Sequence, residues 1–517
     1  MKFIATCLVL IICNVCFPQF ESILEHTFSV KSISPDDDDF SDLEILKERI
    51  GNASVVMLGE QTHGDGATFE AKTRLVKFLH QEMGFDILAF EGEMYGLMKT
   101  DEAIKNGGNH YSAFNKSVYS IWSDSQEFVP LMDYVKKVAN TDFPLQLKGF
   151  DVQSGSDYMS EFFMNDLKRF LSENNIQFDE TFFIPIEIFI KELSGGDFKN
   201  YTSSDSLNFV NTCTTLVEKI NRLPKSKIDE KIILWSRLLS NLIVEHQLEM
   251  DYINNVPEIV QNSRDKAMAE NLLFLKRLYP NRKIICWGAS FHFAKSWNTI
   301  ETNDTISKNY LDKISIDQSS PDYDIKEMSQ AVVMGEYVAK ELKEDVYSIA
   351  FSSYSGIYNY GKNKPVYEAP DGSIEKHLFN EGHYYAFVDL SRLKDIEKFY
   401  ASPEGYIPFK ANWEKMFDGI FFIKEMYPST AIKRTDLDFE ETKIENIQTT
   451  FSTNKFKGVL IDNKTKEPIA YAYVGLKNNS IATASNEDGY FELKISKELK
   501  TDTIQIQTIG YAKKCSV

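Results

Sequence analysis

Long apolar runs, cysteines that could pair and an excess of positive charge are all absent from this sequence. Beyond the N-terminal stretch, no run reaches the ~18 apolar residues that span a membrane, so we expect no transmembrane segment. Three of the six cysteines lie in the first 16 residues, and Cys213, Cys286 and Cys515 are far apart, which argues against a disulfide framework or a Cys-x-x-Cys metal pair. A formal charge of −19 disfavours binding to nucleic acid.

Two common catalytic motifs are missing as well. No Gly-x-Ser-x-Gly turn occurs, which disfavours a serine nucleophile of the α/β-hydrolase kind. No His-Glu-x-x-His pattern occurs, which disfavours a metalloprotease of the zincin kind. The 517 residues contain 43% apolar residues, enough for globular cores, and a chain of this length predicts two or more domains.

The N-terminus has the pattern of a secretory signal peptide. A single positive charge at Lys2 precedes an apolar run over residues 3–17, which is too short to span a membrane stably. We predict a signal peptide over residues 1–19 and therefore a secreted, periplasmic or cell-envelope protein. A lipid anchor at Cys13 is left open, because the bulky Ile12 before it makes a poor lipidation signal.

Alternating apolar runs and helical patterns predict an α/β domain over residues 20–445. A buried strand at 55–58 is followed by a helix at about 67–83 and a second strand at 85–90, which predicts two neighbouring parallel strands. Further strands are predicted at 145–151, 284–288, 346–352, 385–390 and 418–423. Residues 157–275 show only helical patterns, which we interpret as a helical insertion. Short alternating strands at 455–517 predict a small all-β sandwich.

Acids and histidines follow the ends of four predicted strands. Glu60 and His63 follow the first, Glu91 the second, Asp151 the third and His292 the fourth. The carboxyl ends of parallel strands meet at one edge of a sheet, where α/β proteins bind their ligands. Carboxylates raise the pKa of a nearby imidazole and orient it, as a general base that takes a proton from water requires.

Two alternatives stay open for this cluster. Taken singly, each residue is more often structural than catalytic, and the convergence of several strand ends is what favours an active site. A divalent metal could also bind at Glu60, His63, Glu91 and His292, because Zn, Mn and Fe accept imidazole and carboxylate ligands.

Nearby cations are further candidates for this edge. Lys72 lies on the helix after His63 and could reach an anionic intermediate, whereas we expect Arg74 to be solvated. Arg264 and Asp265 begin a helix that leads into the fourth strand, and a buried pair there could orient the site.

At these residues the chain resembles the erythromycin esterase family. The matching stretches are Leu-Gly-Glu-Gln-Thr-His-Gly at 58–64, Ala-Phe-Glu at 89–91, Gly-Phe-Asp at 149–151, Arg-Asp-Lys-Ala-Met-Ala-Glu-Asn at 264–271 and the run from Trp to His at 287–292. The resemblance implies a mixed, mostly parallel sheet flanked by helices. It also implies hydrolysis of the macrolactone ester of macrolide antibiotics, hence antibiotic resistance, by a histidine that activates water without a covalent intermediate.

Carried over by position, the resemblance makes His63 the base, Glu60 and Glu91 the active-site acids and His292 a further catalytic residue, with no cofactor required. We assign Lys72, Arg264 and Asp151 to substrate binding. The chain departs from the family pattern at three of its residues. We still expect base-assisted hydrolysis, but the substrate is left open. Ala289 replaces the first of two usual histidines, Lys72 replaces a common Arg and so loses bidentate binding, and Ala67 replaces a common acid.

The tail resembles a carboxypeptidase regulatory-like domain, a sandwich common in bacterial envelope proteins. Its cues are Gly-Val-Leu-Ile-Asp at 458–462, Asn-Glu-Asp-Gly-Tyr-Phe at 486–491 and Ile-Gly-Tyr at 509–511. With the signal peptide, it predicts a location at the cell envelope and a partner there.

These observations support two hypotheses from different classes. The first is a hydrolase that cleaves an ester or lactone bond of a small molecule with water activated by His63. The second is a cell-envelope protein that binds haem or metal and has lost catalysis, since related folds include haem-binding lipoproteins and one family histidine is missing here.

Overall fold

The chain divides into two compact units, residues 1–442 and 443–517. The computed structural model describes residues 18–432, except 197, 225, 227, 255–261, 318–324, 360–362 and 395, and in the tail 453–461, 468–469, 473–476, 482–486, 489–496, 504–507 and 514–516. Residues 1–17, which hold most of the predicted signal peptide, lie outside the described residues. Within the described residues, no helix combines the length and the apolar content needed to cross a bilayer.

The strands of the large unit follow the predicted apolar runs. They are β1 (Thr27–Val30), β2 (Val55–Glu60), β3 (Ile87–Glu93), β4 (Gln146–Asp151), β5 (Ile284–Ala289), β6 (Val346–Asn359), β7 (Asn363–Pro365), β8 (Tyr385–Asp389), β9 (Phe399–Ala401), β10 (Phe409–Ala411) and β11 (Gly419–Met426).

A nine-stranded sheet is the centre of this unit. The strand order is β1-β8-β11-β6-β2-β5-β3-β4, and β7 pairs with β6 off this path. The six strands from β11 to β4 run parallel, whereas β8 is antiparallel to β11 and β1 is antiparallel to β8. This confirms the predicted mixed, mostly parallel sheet.

One expectation about strand neighbours is wrong. The strand–helix–strand pattern predicted that β2 and β3 pair, and they do run parallel, but β5 lies between them. Cys286 of β5 is opposite Met57 of β2 on one side and Ala89 of β3 on the other. The crossover rule fixes the direction of the two strands, but it does not forbid a later strand from entering between them. The end of β5 therefore lies directly beside Glu60, with Ala289 as its paired residue.

Helices cover both faces of the sheet. They are α1 (Pro18–Glu25), α2 (Glu44–Ile50), α3 (Gly66–Met83), α4 (Met94–Lys105), α5 (His110–Asn115), α6 (Ser120–Ser123), α7 (Val129–Val138), α8 (Asp157–Glu173), α9 (Ile184–Leu193), α10 (Ser203–Asn221), α11 (Glu230–Ile253), α12 (Ser263–Leu278), α13 (Ser290–Phe293), α14 (Thr305–Asp317), α15 (Ile325–Met328), α16 (Met334–Leu342) and α17 (Ile374–Asn380). Single 3₁₀ turns occur at Gln126–Phe128, Glu180–Phe183, Lys343–Asp345 and Trp413–Lys415.

Adjacent residues of each central strand point to opposite cores. In β2, Val56 and Leu58 pack in the core that contains α3, whereas Val55 and Met57 pack in the core formed with α8 to α12. The strands are buried on both sides, which explains their continuous apolar runs. Helices α8 to α12 form the predicted helical insertion, and they cover one face of the sheet at β2, β5, β3 and β4. On the same face, β8, β11 and part of β6 pack in a separate core with α14 and α17.

The hairpin of β9 and β10 lies against the end of β2. Its connecting segment, residues 402–408, bonds to Gln61 twice: Gln61 Nε2 donates to the carbonyl of Ser402 at 3.1 Å, and the Gly405 N–H donates to the carbonyl of Gln61 at 3.0 Å. This segment therefore forms part of the wall around the edge where the predicted site residues lie.

The C-terminal unit is all-β in its described residues. Its strands are β12 (Thr453–Val459), β13 (Tyr473–Leu476), β14 (Ala482–Ala484), β15 (Tyr490–Ser496), β16 (Ile504–Gln507) and β17 (Lys514–Ser516). They form an antiparallel pair, β12 with β15, and an antiparallel sheet in the order β14-β13-β16-β17. Val474 and Leu493 are buried, which confirms the predicted small all-β domain with its own apolar interior.

Candidate active site

The loop that carries His63 is held rigidly between β2 and α3. Asp65 accepts hydrogen bonds from the backbone N–H of Thr62 at 2.9 Å and from its hydroxyl at 2.7 Å. Gly64 lies so close to the backbone of Asn359 that a Cβ at this position would come within 1.4 Å of the Asn359 carbonyl oxygen. Only glycine fits there, and the close contact fixes the path of the loop beneath the imidazole.

His63 is paired with Glu60 and is open to solvent on its other side. Nδ1 of His63 lies 3.0 Å from Oε1 of Glu60, and 31% of the His63 side chain is exposed. Because an ionised carboxylate can only accept a hydrogen bond, the neutral ring carries its hydrogen on Nδ1 and presents the lone pair of Nε2. The indole N–H of Trp122 donates to the same Glu60 oxygen at 2.6 Å, and its ring meets the His63 ring edge-on.

The pKa of His63 is raised above its ordinary value. Burial lowers this pKa, but the hydrogen bond and negative charge of Glu60 outweigh burial, and Glu91 adds to the rise. The positive charge of His292 opposes it. Both Glu91 and His292 are therefore close enough to affect the charge of His63, although they belong to the ends of other strands.

Lys72 lies behind Glu60 rather than facing the cleft. It is fully buried, pairs with Oε2 of Glu60 and donates to the carbonyl of Gly288 at 3.2 Å. Its ammonium also lies 4.1 Å from the centre of the Trp287 ring. We expected Lys72 to bind substrate, but a side chain with no exposed surface cannot meet a ligand in this geometry. Lys72 instead neutralises and positions Glu60.

A second group of charges surrounds Arg264 at the start of α12. Its Nε lies 3.2 Å from Oδ1 of Asp151, and one terminal nitrogen lies 2.6 Å from Oδ2 of Asp151 and 2.9 Å from Oε1 of Glu91. Asp151 also accepts from the backbone N–H of Val152 at 2.7 Å and is almost fully buried. Like Lys72, Asp151 was expected to contact substrate and is instead enclosed. Of the three residues assigned to substrate binding, Arg264 retains exposed surface, 16% of its side chain.

His292 is held between two carboxylates. Nδ1 lies 2.8 Å from Oδ1 of Asp265, and Nε2 lies 3.4 Å from Oε1 of Glu91. Burial lowers the pKa of His292, but the charges of Asp265 and Glu91 outweigh it and raise the pKa to about 10. His292 is therefore an imidazolium at neutral pH, with both N–H groups directed at acids.

Glu91 connects the two groups of charges. Burial raises its pKa, but the positive charges of His292 and Arg264 and the hydrogen bond from His292 hold the pKa well below its ordinary value. Its Oε2 accepts the backbone N–H of Ala289 at 3.0 Å. The position where the family usually has a histidine thus still serves the site through its backbone.

The seven predicted site residues lie together at one edge of the sheet. Glu60, His63 and Lys72 form one hydrogen-bonded group, and Glu91, Asp151, Arg264 and His292 form the other. The electrostatic interaction of His63 with Glu91 and His292 joins them.

The donor atoms here do not suit a divalent metal. Both oxygens of Glu60 already accept hydrogen bonds, from His63, Trp122 and Lys72. Glu91 is bonded to Arg264, and both nitrogens of His292 are paired with acids. Arg264 is a permanent cation that competes with a metal ion for Glu91, and the described part of the chain holds no group of three or more His, Cys, Asp or Glu arranged to bind one.

Several site residues were missed or misjudged from the sequence. Trp122, which donates to Glu60, was missed because it does not follow a strand of the parallel sheet. Asp265 was noted only as part of a pair, and its partner is His292 rather than Arg264. Arg74, expected to be solvated, is 1% exposed and bonds to Asp42 at 2.8 Å.

Comparison with known proteins identifies the fold and the family. The profile of the family named Erythromycin esterase matches residues 80–426, well over half of the chain. The chain belongs to the erythromycin esterase family. The matched range contains Glu91, Asp151, Arg264 and His292 and begins after Glu60 and His63. The profile of the CarboxypepD_reg-like domain matches residues 456–517.

Relatives of this erythromycin esterase family member are distant. "Putative hydrolase YbfO" of Bacillus subtilis (strain 168) is 27% identical over 431 residues, which cover 76% of this chain and 88% of the relative. "Erythromycin esterase type II" of Escherichia coli is 22% identical over 449 residues, 80% of this chain and 99% of the relative. The solved structure of a mutant of the erythromycin esterase EreC in its open conformation has a TM-score of 0.58 and 15% identity, with 78% of this chain and 98% of that chain covered. The protein is therefore a member of a hydrolase family with the fold of that family.

Proposed function

We propose that this protein hydrolyses a carboxylic ester or lactone of a small molecule, with His63 as the general base. The observation that supports this most is the pairing of His63 with the buried Glu60, which leaves the Nε2 side of a partly exposed imidazole facing solvent. An acid that holds one nitrogen and an accessible second nitrogen are the two requirements of a histidine that activates water.

The reaction uses one water molecule and forms no covalent intermediate. Nε2 of His63 takes a proton from water while the water oxygen forms a bond to the acyl carbon. Glu60 stabilises the resulting imidazolium through the hydrogen bond to Nδ1, and Trp122 and Lys72 hold Glu60 in place. The bond from the acyl carbon to the alcohol oxygen then breaks, and that oxygen takes up a proton.

Arg264 is our candidate for the group that binds the carbonyl oxygen. It lies at the boundary of the cluster with part of its guanidinium exposed, and Asp151 and Glu91 fix its orientation. His292 adds a second positive charge close by, but its N–H groups point to Asp265 and Glu91. We therefore assign His292 to electrostatic stabilisation of the oxyanion rather than to direct contact with it.

Two other candidate nucleophiles near the site, Ser290 and Cys286, are poorly placed. Ser290, next to the site, is fully buried and donates its hydroxyl to the carbonyl of Gly59 at 2.7 Å. Burial raises the pKa of the Cys286 thiol, which keeps it protonated at neutral pH. The engaged donors of Glu60, Glu91 and His292 favour a mechanism that needs no metal.

The substrate class and the location are part of the same proposal. Macrolide lactones are candidates because of the family, and the departure at Ala289 leaves other esters equally open. The N-terminal pattern and the CarboxypepD_reg-like domain favour a secreted or envelope location, with the tail binding an envelope partner. Cell fractionation with sequencing of the mature N-terminus would check the location, and a protein found uncleaved in the cytoplasm would contradict it.

Hydrolysis of a panel of esters and lactones, macrolides included, tests the proposed function. The wild-type protein, His63→Ala and the control His110→Ala would be assayed with and without a chelator. His110 is a matched control because it also pairs with an acid, Asp133 at 2.8 Å, outside the site. We expect turnover by the wild type and by His110→Ala, none by His63→Ala, and no effect of the chelator.

Each other outcome has a clear meaning. Equal rates for His63→Ala and the wild type would remove His63 from the mechanism. Loss of activity with chelator and its recovery on addition of metal would replace the proposal with a metal-dependent one. No turnover by any variant, together with a Soret band when haem is added, would favour the ligand-binding alternative.

A further inference from the structure

One acid outside the predicted cluster interacts electrostatically with both histidines of the site. Glu404 lies in the segment that connects β9 to β10, and its interaction with the positive charges of His292 and His63 is strong enough to affect its own ionisation. It follows no strand of the parallel sheet and lies more than 300 residues from His63 in the chain.

The backbone around Glu404 is firmly docked. On one side, the neighbouring residues Ser402 and Gly405 bond to Gln61, which is two residues before His63. On the other side, the backbone N–H of Phe291, one residue before His292, favours the ionised form of the Glu404 carboxyl. Glu404 is therefore fixed between the two loops that carry the imidazoles.

The protonated form of the Glu404 carboxyl is favoured by burial. Burial raises the pKa of Glu404 to about 8, although the charges of His292 and His63 oppose this. Its Oε2 is buried, and no other atom of the described residues accepts or donates a hydrogen bond there. Glu404 as a whole is partly exposed, unlike Lys72, so a proton held on its carboxyl can be passed to a ligand in the site.

We propose that Glu404 is the general acid that protonates the departing alcohol. This inference rests on the proposed ester or lactone hydrolysis by His63. Alkoxides are poor leaving groups, so a proton delivered as the carbon–oxygen bond breaks lowers the barrier. Two titratable groups in different environments then have complementary roles: His63 accepts a proton and Glu404 donates one.

The proposed step is balanced in atoms and charge. Water gives one proton to Nε2 of His63, and its oxygen forms the new bond to the acyl carbon. The bond to the alcohol oxygen breaks as that oxygen takes the proton from the Glu404 carboxyl. The His63 imidazolium then returns a proton to the Glu404 carboxylate, and the acid product and the alcohol leave. No oxidant, reductant or further reactant is needed.

Glu375 supplies a matched control. It is fully buried, burial raises its pKa to about 7, and its Oε2 also lacks a partner among the described residues. It bonds to the backbone N–H of Ser402 at 2.7 Å, two residues before Glu404. Its main interactions are hydrogen bonds with Ser352, Ser373 and Ser402 rather than the histidine charges that act on Glu404, so it has similar chemistry in the same wall.

The first test measures how the rate depends on the leaving group. Glu404→Gln and Glu375→Gln would be compared with the wild type on alkyl esters and on 4-nitrophenyl esters of the same acid. For Glu404→Gln we expect kcat/KM to fall by about 10²–10⁴-fold on alkyl esters and by less than about threefold on the aryl esters, whose phenolate leaves without help. Glu375→Gln should treat both kinds of ester equally.

The pH profile and infrared spectra give two further readouts. On alkyl esters, the wild-type rate should decline as pH rises through about 8, because the carboxyl loses its proton, and Glu404→Gln should lack this decline. The infrared difference between wild type and Glu404→Gln should show the carbonyl band of a protonated carboxyl at neutral pH that vanishes at high pH. Glu375→Gln gives the reference band for a buried carboxyl.

These outcomes separate the inference from the proposed function. A wild type that hydrolyses esters while Glu404→Gln loses alkyl and aryl activity equally, or loses neither, overturns the acid role and leaves the proposed function intact. Absence of the carboxyl band at neutral pH also overturns the acid role. A wild type that hydrolyses no ester overturns the proposed function, and the acid role falls with it even if the band is present.

Discussion

The two histidines of the site lie at the ends of neighbouring strands, yet their surroundings differ. His63 has one acid partner, Glu60 at 3.0 Å, and 31% of its side chain is exposed. His292 has two acid partners, Asp265 at 2.8 Å and Glu91 at 3.4 Å, and 11% of its side chain is exposed. The pKa of each is raised, that of His292 to about 10.

This difference gives the two histidines different roles although their side chains are chemically identical. One carboxylate orients a ring and leaves its second nitrogen free for water, which a base requires. Two carboxylates occupy both nitrogens and keep the ring charged, which makes it a fixed cation that holds neighbouring acids ionised. The number of acid partners and the access to solvent, rather than the residue type, distinguish the proposed base, His63, from the fixed cation, His292.

Replacing each histidine with Asn should have the largest effects of all, and the effects should differ between the two positions. His63→Asn should lower kcat/KM by about 10²–10⁴-fold with little change in the free energy of unfolding, because the ring is partly exposed. His292→Asn should lower the free energy of unfolding by about 3–5 kcal/mol, because it leaves Asp265 and Glu91 without their cation. Ester kinetics and urea denaturation of both variants would measure this. A stable His292→Asn protein would show that the two sites do not differ as described.

Glu60→Gln should weaken the base without unfolding the loop. The amide removes the negative charge that raises the pKa of His63, so the acidic limb of the pH–rate profile should move to lower pH. The rate should fall by about 10²-fold, since a neutral partner stabilises the imidazolium less. Kinetics from pH 5 to 9 would test this, and an acidic limb that does not move would indicate that another group governs it.

The stability of the protein should depend on pH through His292. Its folded pKa of about 10 lies above the unfolded value of about 6.5, so its contribution is complete below about pH 6.5 and is lost as pH rises toward 10. The free energy of unfolding of the wild type minus that of His292→Asn should therefore shrink between pH 6.5 and 10. Denaturant titrations at several pH values would measure it, and a constant difference would contradict a charged His292.

Trp122→Phe should have the smallest effect and refine the description of His63. Phe keeps an aromatic ring near His63 but removes the indole N–H that donates to Glu60 at 2.6 Å. The loss of one hydrogen bond to a charged group predicts a decrease in rate of about tenfold. The control Trp413→Phe removes a buried indole bond to the Phe399 carbonyl and should leave the kinetics unchanged. Equal kinetic effects of both changes would mean that Trp122 acts only through packing.

Much of the sheet and of the cluster was predictable from local patterns. Continuous apolar runs marked strands buried on both faces, and polar residues directly after them marked the edge where Glu60, Glu91, Asp151 and His292 meet. The neighbours of β2 were not predictable, because nothing local to residues 55–93 reports that β5, some 200 residues later, enters the sheet between them. Lys72 and Arg74 were misjudged because burial depends on which segments cover a helix.

The amino-acid sequence by itself determined which chemical groups this protein presents at the end of each strand. An apolar run followed by an acid or imidazole is a local property, and parallel strands bring such ends to one edge. Only the tertiary structure decided what each group does there. Partners distant in sequence, such as Asp265 for His292, Trp122 for Glu60 and the 402–405 segment for Gln61, set the burial, hydrogen bonds and charges that determine each pKa.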